Sequence, residues 1–404
     1  MSCSFYAIGD LIESAIGGGW GKECLQDGYT NQVAVIRGAD FPNIENGNYD
    51  NLPIRWEKDS KAAKATLRAG DIVLEISGGT NDRPTGRTIF ITPDLLAKYP
   101  CPIIPASFCR LIRPVDSING RFLYYWLQDM YAKGRTWGYQ NRSTGLSNFQ
   151  FKTFAESEIV RVPDTETQTR IANCLEVLDQ KRILNNRLND YLANLCETIA
   201  SRYCNDRNSR LRDICYQVAD HVDYDNANQE TYVSTESLMQ NKGGRQLASS
   251  LPTTGKITRY KAGDTLISNI RPYFKKIWYA PFEGTCSGDV IVFRANDPSN
   301  APYLHACLRQ DSFFDYVMQG AKGTKMPRGD KKQMMEFKVA SSCSAEDLIL
   351  LDSVIKQRSD NDSEITKLQK LRDTLLPKLM SGEIDVSKID LTQLTNNHLV
   401  EKSL

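Results

Sequence analysis

The stretch PDTETQTRIANCLEVLDQKRILNNRLNDYLANLCETI (163–199) decides how this chain is read. After Pro163, Thr165 to Gln168 has the form of a capping box, where a Thr and a Gln side chain satisfy free amides at a helix start. Apolar residues follow at Ile171, Leu175, Leu178, Leu188, Leu192, Leu195 and Ile199. Steps of three and four put them on one stripe of one helix. A second stretch has the same grammar. Ser344 to Asp347 is a weaker cap, and Leu351, Ile355, Leu368, Leu371, Leu375 and Leu379 follow it. A shift of 180 aligns Ile171 with Leu351, Leu175 with Ile355, Leu188 with Leu368, Leu195 with Leu375 and Ile199 with Leu379. Both helices have a polar middle, Asn185-Asn186 and Asp360 to Asp362. Each could simply pack on its own domain. Two matching, single-striped helices are better satisfied by each other, as a coiled coil. About 38 residues at ~1.5 Å each make a rod roughly 55 Å long.

The match extends upstream. Ala69-Gly70-Asp71 recurs as Ala262-Gly263-Asp264, an offset of 193. Ile89 to Pro93 aligns with Ile277 to Pro281 at 188. The strand-like FCRLIR ending in Arg113 aligns with VIVFR ending in Arg294 at 181, as do Phe122-Leu123 and Leu127 with Tyr303-Leu304 and Leu308. Matches in one order with falling offsets mark a domain duplication in units of about 180 residues, not a solenoid of short repeats. The fold class expected is α+β: two β-rich domains, each followed by a long helix. The divisions are 1–163, the helix 164–203, the second domain 204–343, the helix 344–382 and a tail 383–404.

Composition excludes several classes. The 404 residues carry Lys+Arg 50 against Asp+Glu 49, a net charge of +1, with 41% hydrophobic residues. Such a chain buries ordinary cores and is not disordered. It does not bind nucleic acid by net charge alone, although a local basic surface can hide in a neutral total. Mean hydropathy is −0.44, and no apolar run reaches the ~18 residues of a membrane span. The N-terminus has no basic segment and carries Asp10 and Glu13, so no secretory signal is expected. The 11 cysteines lack C-x-x-C spacing and the three histidines, His221, His305 and His398, are dispersed. No metal site is expected, and reduced thiols in a cytoplasmic protein are the reading. GGTNDRPTGRT (78–88) has neither the spacing nor the lysine of a phosphate-binding loop. Pro163-Asp164 with Glu166 reads as a helix start, not a nuclease carboxylate pair, and His221 as a solvated loop residue. No catalytic residue is assigned.

Polar, basic loops lie between the short apolar runs. The stretch 241–277 holds Lys242, Arg245, Lys256, Arg259, Lys261, Arg271, Lys275 and Lys276 against Asp264. The stretch 321–332 holds Lys322, Lys325, Arg328, Lys331 and Lys332 against Asp330. In the first half, KGRTWGYQNRSTGLS (133–147) contains no acid. Lys and Arg neutralise phosphates, and Arg, Asn and Gln can bond base edges. Gly243-Gly244, Gly320, Gly323 and Gly329 would let backbone approach a phosphate. A solvated loop explains any one of these; matched basic loops in both halves favour DNA. The DNA-binding candidates are Arg83, Arg87, Arg135, Tyr139, Asn141 and Arg142 in the first domain. In the second they are Arg245, Arg271, Lys275, Lys325 and Arg328, with Arg271 before Pro272 also suited to stabilising a turn.

SNIRPYFKKIWYAPFEGTCSGDVIVFR (268–294) and GDIVLEISGGTNDRPTGRTIF (70–90) resemble variants of the target-recognition domain of type I restriction–modification specificity subunits. LQKLRDTLLPKLMSGEIDVS (368–387) is similar to that family's closing segment, and Pro163, Gln168 and Ile171 to its start of the central helix. The second helix lacks the corresponding Pro and Gln. The resemblance covers about 1–387. It implies two recognition domains, each reading half of a bipartite, asymmetric double-stranded DNA target, and two helices paired antiparallel that set the gap between half-sites. It implies two methyltransferase subunits and restriction–translocase subunits as partners. S-adenosylmethionine, ATP and Mg are expected on those partners and no cofactor on this chain. Two alternatives stand beside it: a specificity component of another restriction or phage-defence enzyme, and a coiled-coil interaction scaffold.

Overall fold

The computed structural model describes residues 3–141, 147–203, 206 and 208–389. The chain forms two compact units of mixed helix and sheet. The first comprises residues 1–187 and 364–404, and the second 188–363. Both long helices, Thr165–Ser201 and Ala345–Ser381, cross this division, so each unit owns half of each.

The first unit is built on a four-stranded antiparallel sheet in the order Ile12–Gly17, Cys109–Pro114, Ile72–Glu75, Thr88–Phe90. A three-stranded sheet places Asn31–Ile36 between antiparallel Ile54–Glu57 and parallel Ile103–Pro105. Cys3–Ala7 pairs with Ile159–Pro163 where the chain leaves for the helix. The second unit repeats the plan. Its four-stranded sheet runs Cys215–Gln217, Val290–Ala295, Thr265–Ser268, Ile277–Tyr279. Its smaller sheet also contains a parallel pair, Tyr232–Val233 on Gly284–Cys286. Ser209–Arg210 pairs with Lys338–Val339 in the place of the pair at the first unit's exit.

The repeated residues are the ones this plan needs. Gly70 and Gly263 take φ of 94° and 92°, which a side chain resists. Behind each lies a nearly buried aspartate gripped by an arginine from the neighbouring strand. Arg113 donates from Nε and Nη2 to Asp71 at 2.8 and 2.7 Å. Arg294 donates likewise to Asp264, both at 2.7 Å. The same carboxylates accept from the amides of Arg68 and Lys261. These hydrogen bonds hold Arg113 and Arg294 above the usual guanidinium value. One alignment needs correcting. Ile72 pairs with Phe90 and Thr265 with Tyr279, so Phe90 corresponds to Tyr279 at an offset of 189, not 188. The apolar run Ile277 to Tyr279 slides against Ile89 to Ile91 without penalty in sequence, whereas in a strand one step exchanges the faces.

The helices pack together, antiparallel within each unit. In the first, Ile171 and Leu175 share a core with Leu379, Leu376 and Met380, and Leu375 packs at its edge. In the second, Ile199 shares a core with Leu351 and Ile355, and Leu195 lies against it. The helix ends therefore belong to the domain cores as well as to each other. Leu188 and Leu368 depart from the expected seam: Leu188 is 38% exposed and neither joins a buried core. Polar groups hold the middle. Asn185 donates to Glu364 at 2.7 Å in the first unit; in the second, Asn189 donates to Asp362 at 2.7 Å and accepts from Asn361 at 2.9 Å. Buried amides favour one register over its neighbours.

The helix starts also differ from the capping box. Asp164, not Thr165, caps: its carboxylate accepts from the Thr167 amide at 2.9 Å, which holds it below the usual carboxylate range. Gln168 turns inward, donating to the Pro163 carbonyl and accepting from the Asn119 amide, both at 2.9 Å. Ser344 caps the second helix through the Asp347 amide. The basic stretch 241–277 is not one loop. Lys256–Tyr260 and Thr265–Ser268 within it are strands, because Lys256 and Arg259 flank buried Ile257 and Thr258. His221 lies on an exposed strand, His221–Asp223, beside Thr258 at 3.2 Å.

Candidate nucleic-acid interface

In each unit, loops that carry candidate cations meet at one end of the four-stranded sheet, Arg245 apart. In the first unit, the Phe149 amide donates to Ile76 at 2.8 Å, and Ser77 bridges to Asn148. The hairpin of Gln140–Asn141 and Asn148–Phe149 is thereby joined to the loop after Glu75. In the second unit, Ile270 bridges to Arg328, which bridges to Lys322. The Arg271 amide donates to Pro327 at 2.8 Å. Loops about 70 residues apart in the first unit and about 60 apart in the second thus form one rim in each unit.

The first unit's rim is organised by two buried carboxylates that sequence reasoning missed. Glu75, 3% exposed, accepts from Arg83 Nη1 at 3.0 Å and from Arg87 Nε and Nη2 at 2.8 and 2.6 Å. The remaining reach of these arginines goes to the Gly78 and Gly38 carbonyls. Burial opposes the charge on Arg87, and its bonds to Glu75 prevail, raising it above the usual value. Glu158, 6% exposed, pairs with Arg135 and accepts from the Tyr139 hydroxyl at 2.9 Å. The Tyr139 ring packs on Phe149 and Phe154. Arg83, Arg87, Arg135 and Tyr139, the first-domain DNA-binding candidates, are thus held by these two carboxylates and shape the rim. Asn141 is exposed, and Arg142 lies outside the described residues. The missed signal was a lone acid closing an apolar strand: Glu75 after Ile72 to Leu74, with arginines eight and twelve residues on.

The second unit's rim is held by backbone instead. Of the positive-φ non-glycine residues described, Asn241, Lys242, Arg271 and Lys275 all lie here, at 55°, 60°, 50° and 50°. The Asn241 and Lys242 amides donate to the Phe274 and Lys275 carbonyls at 2.8 Å. Arg271 accepts the Phe274 amide through its carbonyl, closing the turn. Lys275 and Lys242 both reach Asp311, at 2.8 and 2.9 Å, and hold that carboxyl below its usual range. Arg328 pairs with Asp289 at 3.2 Å and stays half exposed. Lys325 is exposed. Arg245 is not at the surface in the sense expected: it lies over the Trp278 and Phe282 rings, bonds the Glu230 carbonyl, and burial pulls it below the usual guanidinium value. Gly320 and Gly329 also lie close to neighbouring side chains. A Cβ there would meet the side-chain ends of Gln333 or Met334.

Among the described residues no group of three His, Cys, Asp or Glu side chains is placed to hold a metal ion. No described helix is long and apolar enough to cross a membrane.

A scaffold written twice, carrying rims of different chemistry on the same strand ends, defines a class of protein that presents two distinct surfaces from one design. Residues 4–194 match the family described as type I restriction modification DNA specificity domain. Over 187 residues the chain is 22% identical to the type I restriction enzyme EcoDI specificity subunit of Escherichia coli, covering 44% of this chain and 41% of that protein. The chain thus matches about two fifths of the length of this curated relative. Its fold is similar to the crystal structure of the S subunit of a type I restriction–modification system from M. genitalium, with a TM-score of 0.51 and 15% identity over 94% of this chain and 96% of that one. The HsdS subunit from Thermoanaerobacter tengcongensis aligns at 13% identity and a TM-score of 0.36 over 95% and 97% of the two chains.

Proposed function

We propose that this chain is the sequence-reading subunit of a type I restriction–modification enzyme. Residues 1–163 and 204–343 are its two recognition domains, and each reads one half of a bipartite, asymmetric double-stranded DNA target. The helix pair sets the gap between half-sites and docks two methyltransferase subunits; restriction–translocase subunits join that assembly. S-adenosylmethionine, ATP and Mg act on the partners, and this chain supplies the address in the cytoplasm. The observation that carries the reading is the pairing of identical Asp–Arg forks with unlike rims. A common scaffold with different loop chemistry is what two different half-sites require.

The test is to co-purify the full chain with its methyltransferase partner and map the DNA it protects and methylates. One bipartite, non-palindromic sequence is expected, with affinity falling steeply as salt rises. Protection that ignores sequence would refute the reading. Methylation by this chain alone would refute the division of labour.

A further inference from the structure

A cavity of about 210 Å³ lies within the first unit, between its sheet-bearing part and the halves of both long helices that belong to it. An apolar cavity of about 150 Å³ holds one benzene-sized molecule, so this space takes a substituted six-membered ring. Ile44, Phe90 and Ile183 supply apolar wall. The polar groups between them are mostly partnered. Asp179 accepts from the Tyr125 hydroxyl at 2.8 Å and lies 3.0 Å from Arg372. Arg182 donates to the Glu45 carbonyl at 2.9 Å and bonds Asn46. Arg121 pairs with Glu176 at 2.9 Å.

Two polar groups of the lining are left over. Tyr124 is 7% exposed, and its hydroxyl makes no hydrogen bond among the described residues. Its ring is held by Phe90 and Tyr125, with centroids 5.7 and 5.1 Å away. The Glu45 carboxylate has no cation within pairing distance among the described residues and takes one long hydrogen bond, from Gln128 at 3.4 Å. Burial lifts this carboxyl above its usual range. Buried polar groups are almost always satisfied, by the protein or by something bound to it. The surrounding charges select what could satisfy these. A cation drawn to Glu45 would also meet Arg182 and Arg372, and an anion would meet Glu45 itself. A neutral donor incurs neither repulsion.

We propose that this cavity binds a neutral aminoheterocycle. Its amino group donates to Glu45, and the ring nitrogen beside that group accepts from Tyr124. The flat ring lies against the apolar wall. The site goes beyond DNA reading: its ligand touches the domain and both helices at once.

The experiment titrates the full chain with 2-aminopyrimidine, which is uncharged at neutral pH, and follows binding by saturation-transfer NMR. A dissociation constant on the order of 1 mM is expected for so small a ligand. Pyrimidine keeps the ring nitrogens and lacks the donor, so it should bind about 10-fold more weakly. Tyr124→Phe removes only the unbonded hydroxyl and should weaken 2-aminopyrimidine about 5-fold. Glu45→Leu removes the acceptor and should weaken it about 10-fold. Unfolding midpoints without ligand check that both variants fold; should Glu45→Leu fail to, Tyr124→Phe and the pyrimidine comparison decide. Equal affinity for the two compounds overturns the proposal, as does affinity unchanged by the substitutions. Tighter binding of benzamidine, a cation, or of acetate, an anion, overturns the ligand class. Absence of saturable binding overturns the site and leaves the cavity to water.

Discussion

The two rims solve one problem with opposite means. In the first unit, cations are drawn inward: Glu75 takes Arg83 and Arg87, and Glu158 takes Arg135 and Tyr139. In the second, the position equivalent to Glu75 is Ser268, which accepts no cation and donates to the Ile270 carbonyl. There the loops are locked by crossed backbone hydrogen bonds and by residues forced into left-handed conformations. Below both rims the scaffold is the same, down to the forked aspartate. The contrast teaches that loop rigidity, not a particular cation pattern, is what the duplication preserves. Either charge pairing or backbone strain can supply it.

Breaking the shared part should have the largest effect. Asp71→Asn and Asp264→Asn each leave an arginine without its carboxylate, which should cost about 3–5 kcal/mol. Chemical unfolding of the full chain should show comparable losses from both variants. A large loss from only one would mean that the forks are not equivalent. Next comes the first rim. Glu75→Gln removes the charge that gathers Arg83 and Arg87 and should cost about 2 kcal/mol. DNA footprinting should show the first half-site released and the second retained. Equal loss of both would deny that each rim acts separately. The smallest effect is expected from Arg271→Gly. Removing a side chain from a residue at φ 50° should stabilise the fold by about 1 kcal/mol, read as a higher unfolding midpoint, while binding weakens. Such opposite signs would identify the strain as functional.

How much of this could be read from sequence follows from what each residue does. Asp71 and Arg113 recur as Asp264 and Arg294, where losing either partner alone strands the other charge, so the duplication was visible. Helix stripes were visible for the same reason at Ile171, Leu175, Ile199, Leu351, Ile355 and Leu379, where the ends enter the cores. Leu188 misled because a leucine at helical spacing looks identical whether it meets a core or solvent. Glu158 was hidden because its pairing with Arg135 between loops leaves no fixed spacing in sequence, whereas Glu75 carried a signal in its place at the end of an apolar strand. The slip at Ile89 arose because consecutive apolar residues in a buried strand carry no register mark. The basic loops of both halves were visible in sequence, but not which distant loops meet within each half. Whether their cations pointed outward depended on acids that composition counts but cannot locate.

The division of the long helices has a consequence for synthesis. The second unit, residues 188–363, is inserted within the first. Leu376, Leu379, Met380 and Val386 complete a core begun by Ile8 and Leu11. A ribosome therefore releases the first unit's strands long before the residues that cover them, and finishes the second unit in between. The domain begun first is closed last. Its open core is a temporary hydrophobic surface during translation, present on every growing chain until the final helix turns emerge.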